Sequence, residues 1–232
     1  MCKTKPLAQD VIIVDDFYAQ PLKLREMALK SRYAEISATD YPGYASQVRL
    51  ETNALEQSFS KLIGTPLLID RERFTWGGFR FITEESGSRP IVHADVAADW
   101  AGMVYLTPNC DMALGTGLYR HKSSGFTGPP TDREARALGF CDAAEFDDQV
   151  IRPDKADLSK WDLRRMVEPV FNRLVLFRGG DNYHAPLSGC GDGPETARLT
   201  HIFFFNERPG RAVCPVAIPS SVIPESKRVG AR

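Results

Sequence analysis

Cysteine, histidine and net charge are all in short supply. Five cysteines are scattered through the 232 residues, at Cys2, Cys110, Cys141, Cys190 and Cys214. No two stand at CxxC spacing and their number is odd, which argues against a zinc ribbon and against a disulfide framework. They are expected to be reduced thiols, packed or at the surface. With 29 Lys+Arg against 30 Asp+Glu the formal charge is −1, so no broad field draws in nucleic acid or an anionic membrane. Long hydrophobic runs are missing too. Stretches such as Val11-Ile12-Ile13-Val14 are far too short to cross a bilayer. The opening MCKTKPLAQD lacks a signal-peptide core and cleavage site, which points to a cytoplasmic protein. No unit of about 20 to 50 residues recurs, against a solenoid or propeller. What is left, 43% apolar residues, suits a soluble globular chain, and β-rich barrels reach this length as one unit.

The pattern of what is present changes along the chain. VIIVD reads as a short buried strand. Pro21 then opens a helix, PLKLREMALKS, in which Leu22, Leu24, Met27 and Leu29 recur near helical spacing. YPGYASQ carries a Pro-Gly turn. A second helix is expected from Asn53 to about Leu62, with Leu55, Phe59 and Leu62 on one face and Gly64 and Pro66 ending it. Beyond it lie four runs rich in aromatic and β-favouring residues: FTWGGFRFIT, WAGMVYLT, NRLVLFRG and RLTHIFFFN. Turn clusters such as ESGSRP, GTG, RGGDN and SGCGDGPE separate them. The polar stretch 127–168 holds TDREARAL, where Thr131 and Glu134 have the spacing of a capping box, and DLSKWDLRRM, read as a further helix with Arg164-Arg165 on its exposed face. No linker stands out. The expectation is one β-rich α+β domain over 1–232, with a core at about 70–206, an N-terminal strand and helices at 10–66, and a helical insertion or lid at 127–168.

Four histidines allow each to be weighed. In IVHADVAADW, His93 and Asp95 stand two apart, so on an extended segment they project to the same side. His184 follows the apolar strand LVLF and its Gly-Gly turn. Two imidazoles and one carboxylate suit a non-haem Fe(II) site with one coordination face open. The spacing by itself is also what a chance His-x-Asp would give. Downstream, Arg198 opens RLTHIFFF, where period-two alternation puts Arg198, Thr200, Ile202 and Phe204 on one face and Leu199, His201, Phe203 and Phe205 on the other. A guanidinium and a hydroxyl aimed into one pocket can grip a carboxylate through parallel hydrogen bonds. A surface ion pair is the competing reading of Arg198.

Taken in order, HADVAADWAGMVYLTP, GTGLYR, NRLVLFRGGDNYHAPL and RLTHIFFFN resemble the Fe(II)/2-oxoglutarate-dependent dioxygenases, in particular the prolyl-4-hydroxylase-like branch. The opening VIIVDDFYAQPLKLREMAL is similar to the N-terminal strand and helix of that branch, so the likeness spans roughly residues 10–206. It implies a double-stranded β-helix (jelly-roll) core with the helices packed outside. It also implies Fe(2+) held by His93, Asp95 and His184, 2-oxoglutarate as co-substrate with its distal carboxylate on Arg198 and Thr200, Tyr105 nearby, and O2 as oxidant. The implied reaction hydroxylates an unactivated C–H bond and releases succinate and CO2. The carboxylate at Asp95 separates the chain from halogenating relatives, which lack that acid.

Two departures stand out. The turn SGCGDGPE lengthens the gap between His184 and Arg198. The tyrosine that many relatives place before His-x-Asp is Phe81 here, which leaves its co-substrate hydrogen bond to another group, Tyr105 or Tyr183. Of the remaining residues, His121 in HKSSG reads as part of a solvated loop and His201 as packing. Asp181, Asn182 and Tyr183 read as a turn that can also back His184, and Arg80 as either a substrate contact or a surface ion pair. Two further readings stay open: a catalytically silent jelly-roll binding module retaining the fold, and a cupin-like metalloenzyme without 2-oxoglutarate. The expected partner is a small-molecule or peptide substrate; the oligomeric state is not legible.

Overall fold

A computed structural model describes residues 11–36, 41–88 and 90–208; Cys2 and Cys214 lie outside them. In chain order the elements are β1 (Val11–Val14), α1 (Pro21–Leu29), β2 (Tyr33–Glu35), β3 (Tyr44–Arg49), α2 (Asn53–Ile63), β4 (Leu67–Leu68), β5 (Trp76–Ile82) and β6 (Trp100–Tyr105). There follow β7 (Thr116–His121), α3 (Asp132–Ala137), α4 (Ala143–Phe146), β8 (Trp161–Val167), β9 (Leu174–Phe177), β10 (His184–Pro186) and β11 (Arg198–Glu207). The larger sheet runs β1-β9-β6-β11-β5-β3-β2, with β4 at the far end of β11; the smaller runs β10-β7-β8. Every pairing is antiparallel. The inner faces meet where Val11, Ala101, Tyr105, Val175 and Phe177 of the larger sheet pack with Leu118 and Val167 of the smaller. This is the double-stranded β-helix expected above, with α1 and α2 outside it.

Strand alternation explains which side of the larger sheet is core. On β11, Leu199, Phe203 and Phe205 turn outward and join Leu24, Ala28, Leu55, Phe59 and Trp76 in the principal apolar cluster. Phe59 of α2 meets the rings of Phe203 at 4.7 Å, Trp76 at 5.2 Å and Phe205 at 5.8 Å, edge-on or tilted, the arrangement aromatic quadrupoles favour. Each such ring removed from water contributes roughly 1.5–3 kcal/mol. Thr52 caps α2 by accepting from the Leu55 amide, and Gly64 ends it in the left-handed region at φ 77°. Helix α1 is narrower than its spacing predicts: Leu24 and Ala28 are buried, while Leu22 and Met27 are 65% and 47% exposed.

Helix α3 carries the capping box, both of its bonds formed between Thr131 and Glu134. The helix read in DLSKWDLRRM is absent. One turn at Leu158–Lys160 leads into strand β8, which pairs with β7, and Arg164-Arg165 therefore sits on a strand. Pairing with a partner strand, which buries Trp161 and Val167 at its two ends, overrides local helical preference. GTG, read as a turn, instead opens that partner: β7 begins at Thr116. The long connection from β10 to β11 is tied down at its middle, where Gly191 O accepts from the Glu84 amide and the Cys190 amide donates to Ile82 O. Among the described residues no helix is long and apolar enough to cross a membrane.

Candidate metal centre

The two histidines are set by backbone pairing. His93 and His184 face each other across an isolated antiparallel bridge, the amide of each donating to the carbonyl of the other at 3.0 and 2.8 Å. Two residues on, the Asp95 amide donates to Gly179 O at 3.0 Å, so the RGGDN turn holds the third side chain. All three residues are buried, and their ligand atoms lie within 4.8 Å of one another. His184 Nε2 is 3.2 Å from Asp95 Oδ2, and His93 Nε2 is 3.9 Å from Asp95 Oδ1.

The hydrogen bonds fix the tautomers. His93 Nδ1 lies 2.9 Å from Ile91 O and His184 Nδ1 2.9 Å from Asn182 O. A carbonyl can only accept, so each Nδ1 carries a proton and each Nε2 is the nitrogen turned inward. Burial, and then the neighbouring His184, holds the His93 imidazolium well below the usual histidine range, which keeps it neutral. His93 Nε2 and Asp95 Oδ2 are buried without a hydrogen-bond partner. Acceptors that face one another at these distances repel unless a cation lies between them. The donor set therefore fits a divalent metal with imidazole and carboxylate preferences, Fe(II) among them.

Around this triad the inner faces of both sheets enclose a cavity of about 60 Å3 lined by Arg80, His93, Asp95, His184, Arg198 and Phe204, among others. Arg198 is 4% exposed. Its Nε donates to Leu114 O and its Nη2 to Thr116 Oγ1, both at 2.9 Å, and its guanidinium lies 5.1 Å over the Tyr105 ring. Tyr105 in turn shares a 2.8 Å hydrogen bond with Thr116 Oγ1. No acid pairs with Arg198 among the described residues, so the surface ion pair weighed for it is not formed. Thr200 lines the same cavity, its hydroxyl donating to Arg80 O at 3.2 Å.

Several sequence expectations change. Phe81 stacks on Tyr44 at 4.6 Å in the outer core; position 81 faces away from the cavity, and the neighbours that face into it are Arg80 and Ile82. Tyr183 packs with Trp161, its hydroxyl buried away from the triad. His121 is wholly buried rather than solvated, bonded to Ser124 at 2.9 Å and Asp154 at 3.0 Å. His201 packs as expected, sharing a 2.8 Å hydrogen bond with the Tyr18 hydroxyl. The DNY turn backs His184 after all, through the Asn182 carbonyl. The residue missed was Tyr41, whose hydroxyl donates to Asp95 Oδ1 and whose ring lies 4.5 Å from His93. Its Pro-Gly neighbours marked a turn, and nothing local marked a turn reaching the centre.

Solved structures with similar folds include a Pseudomonas putida prolyl-4-hydroxylase (14% identity, 87% of this chain and 95% of that one, TM-score 0.44). The non-heme alpha-ketoglutarate-dependent epimerase SnoN from nogalamycin biosynthesis is another (12%, 94% and 92%, TM-score 0.47). HygX from Streptomyces hygroscopicus, with nickel and 2-oxoglutarate bound, is a third (12%, 84% and 82%, TM-score 0.42). A search of curated proteins gave no match. The matching family model covers residues 2–205 and is described as a family of unknown function (DUF6445), and the chain belongs to that family.

Proposed function

We propose that the chain is an Fe(II)- and 2-oxoglutarate-dependent oxygenase that hydroxylates an unactivated C–H bond of a small-molecule or peptide substrate. The carrying observation is the convergence of three buried donors, both histidines locked with Nε2 inward. His93, Asp95 and His184 would hold the metal, leaving part of its coordination sphere for co-substrate. Bound together, Fe(II) and 2-oxoglutarate supply the oxygen activation, with succinate and CO2 as the co-products.

The chain's own work is binding, orientation and exclusion of water. Arg198 presents a fork already held in place by Leu114 and Thr116 and backed by the Tyr105 ring, so little order is lost when a carboxylate docks on it. Thr200 lies beside it on the same strand face. Tyr105 acts here as support for Arg198, since its hydroxyl is engaged by Thr116. Tyr41 orients Asp95 by donating to one carboxylate oxygen. Phe177 closes one side, its ring 4.7 Å from His184, which keeps the centre dry.

Anaerobic titration with Fe(II) and then 2-oxoglutarate tests this reading. The wild type should show the weak visible charge-transfer band of the chelate. His184→Ala should lose stoichiometric metal, and Arg198→Gln should keep metal while 2-oxoglutarate affinity falls about tenfold or more, as expected when a charged pair is lost. Metal-loaded wild-type protein without the band would overturn it.

A further inference from the structure

Arg80 is a second guanidinium at the same centre, and the role given to Arg198 leaves it without employment. It sits on the inner face of β5, in register opposite Thr200. Its Nε is fully shielded and has no acceptor, and no acid pairs with it among the described residues. Its guanidinium carbon lies 4.8 Å over the Tyr41 ring, a contact that steadies the cation and leaves its N–H edge unspent. Burial, with Arg198 adding to it, brings its pKa down to about 10, so it stays charged at neutral pH. Arg80 as a whole is partly buried, and a cation so placed, with its Nε lacking an acceptor and no counter-ion, is stabilised by an anion that comes to meet it.

Position separates the two arginines. Arg198 lines the inner cavity and not the outer one. Arg80 also lines a wider, open cavity of about 470 Å3 that shares Tyr41, Asp95 and Phe204 with the inner one. The wall of this outer cavity includes the small apolar residues Ala94, Val96, Ala97 and Ala98, together with Arg73. Charge points the same way. A divalent cation, the 2-oxoglutarate dianion, Asp95 and Arg198 sum to zero, so within the inner cavity the remaining positive charge is that of Arg80, while Arg73 lines the outer cavity and not the inner one.

Resting on the oxygenase reading above, we infer that Arg80 binds a carboxylate of the substrate, and that the outer cavity takes a small organic acid with its apolar part against the alanine wall and Phe204. One unbalanced charge and one two-pronged fork match a carboxylate. A phosphate dianion would overcompensate that single inner charge. The acid would enter beside Asp95, with its anionic end fixed before a C–H bond is presented to the centre.

The test is calorimetric and anaerobic, on protein loaded with Mn(II) and 2-oxoglutarate. The probes are acetate, isobutyrate and benzoate, their primary amides, and methyl phosphate. At least one carboxylate should bind, with its amide and methyl phosphate about tenfold weaker or more. Arg80→Met should lose about tenfold or more in affinity for that carboxylate while Mn(II) and 2-oxoglutarate bind as in the wild type, which also shows that the variant is folded. Arg80→Lys, which keeps the charge and loses the fork, should fall between the two, and it serves if the methionine variant does not fold. The inference is overturned if no carboxylate binds, if amides or methyl phosphate bind as well, or if the variants are unaffected. It is also overturned if the variants lose 2-oxoglutarate, since Arg80 would then grip the co-substrate. Wild-type protein that takes up neither Mn(II) nor 2-oxoglutarate would instead sink the oxygenase reading on which this inference stands.

Discussion

A methyl group added at Gly179 would stand 2.6 Å from Asp95 Oδ2 and 3.0 Å from the Ala101 side chain. The glycine is there because the backbone must come this close for its carbonyl to accept from the Asp95 amide. Gly179→Ala should therefore push the carboxylate off the axis shared with the two imidazoles. Mn(II) affinity is expected to drop about 10- to 100-fold, as when a group that orients a ligand is lost, with about 1–3 kcal/mol of overpacking cost in urea unfolding. Unchanged Mn(II) affinity would show that Asp95 is not positioned by this contact. At this scale the sequence was informative where chemistry and spacing coincide. His93, Asp95, His184 and Arg198 were all legible as candidates, because few residue types can do what they do. Tyr41 was not, because a tyrosine in a Pro-Gly turn looks the same whether or not the turn folds over a metal site. Phe81 misled for a related reason: matching a position by likeness ignores which face of a strand it occupies, and β5 turns Arg80 inward instead.

Elements were legible in proportion to how much of their own pattern decides them. The aromatic runs became β5, β6, β9 and β11 because alternation and β-favouring residues agree with their places in the sheet. Strands β2 and β4 are short, and β2, β3 and β4 are all only partly buried and set by pairing rather than by composition. Strand β8 shows the limit of local reading, since its sequence favours a helix and its partner β7 decides otherwise. The capping box of α3 is the opposite case, a signal wholly contained in Thr131 to Glu134. Thr131→Ala should lower stability by about 0.5–2 kcal/mol through the lost cap, read from urea unfolding. It should leave Mn(II) binding unaltered, because α3 packs against the cluster around Phe146 and not against the triad. A change in metal affinity would mean that the insertion bears on the centre.

For the molecule as a whole, the buried histidines couple stability to acidity. Burial lowers the pKa of His201 to about 3, against about 6.5 in an unfolded chain. Between those values the unfolded state carries the proton and the folded state does not. The stabilisation is therefore complete above about pH 6.5 and is lost as pH falls from there toward 3, at up to about 1.4 kcal/mol per pH unit. Urea midpoints should fall from pH 7 to pH 5 in the wild type. His201→Asn, which retains a hydrogen-bond partner for Tyr18, should show a shallower fall whatever its stability at pH 7. Equal slopes would assign the acid sensitivity to other groups.

The place of β11 carries a consequence for how the molecule comes into being. Its hydrogen bonds join β6 on one side to β5 on the other, and among the described strands it is the latest in the chain. While the polypeptide emerges from a ribosome, the earlier strands of the larger sheet can pair only as two separate ribbons, β1-β9-β6 and β5-β3-β2, with nothing between them. The seam is closed only once β11 has emerged, by the same strand that brings Arg198, so the barrel and its anion grip are completed in one event.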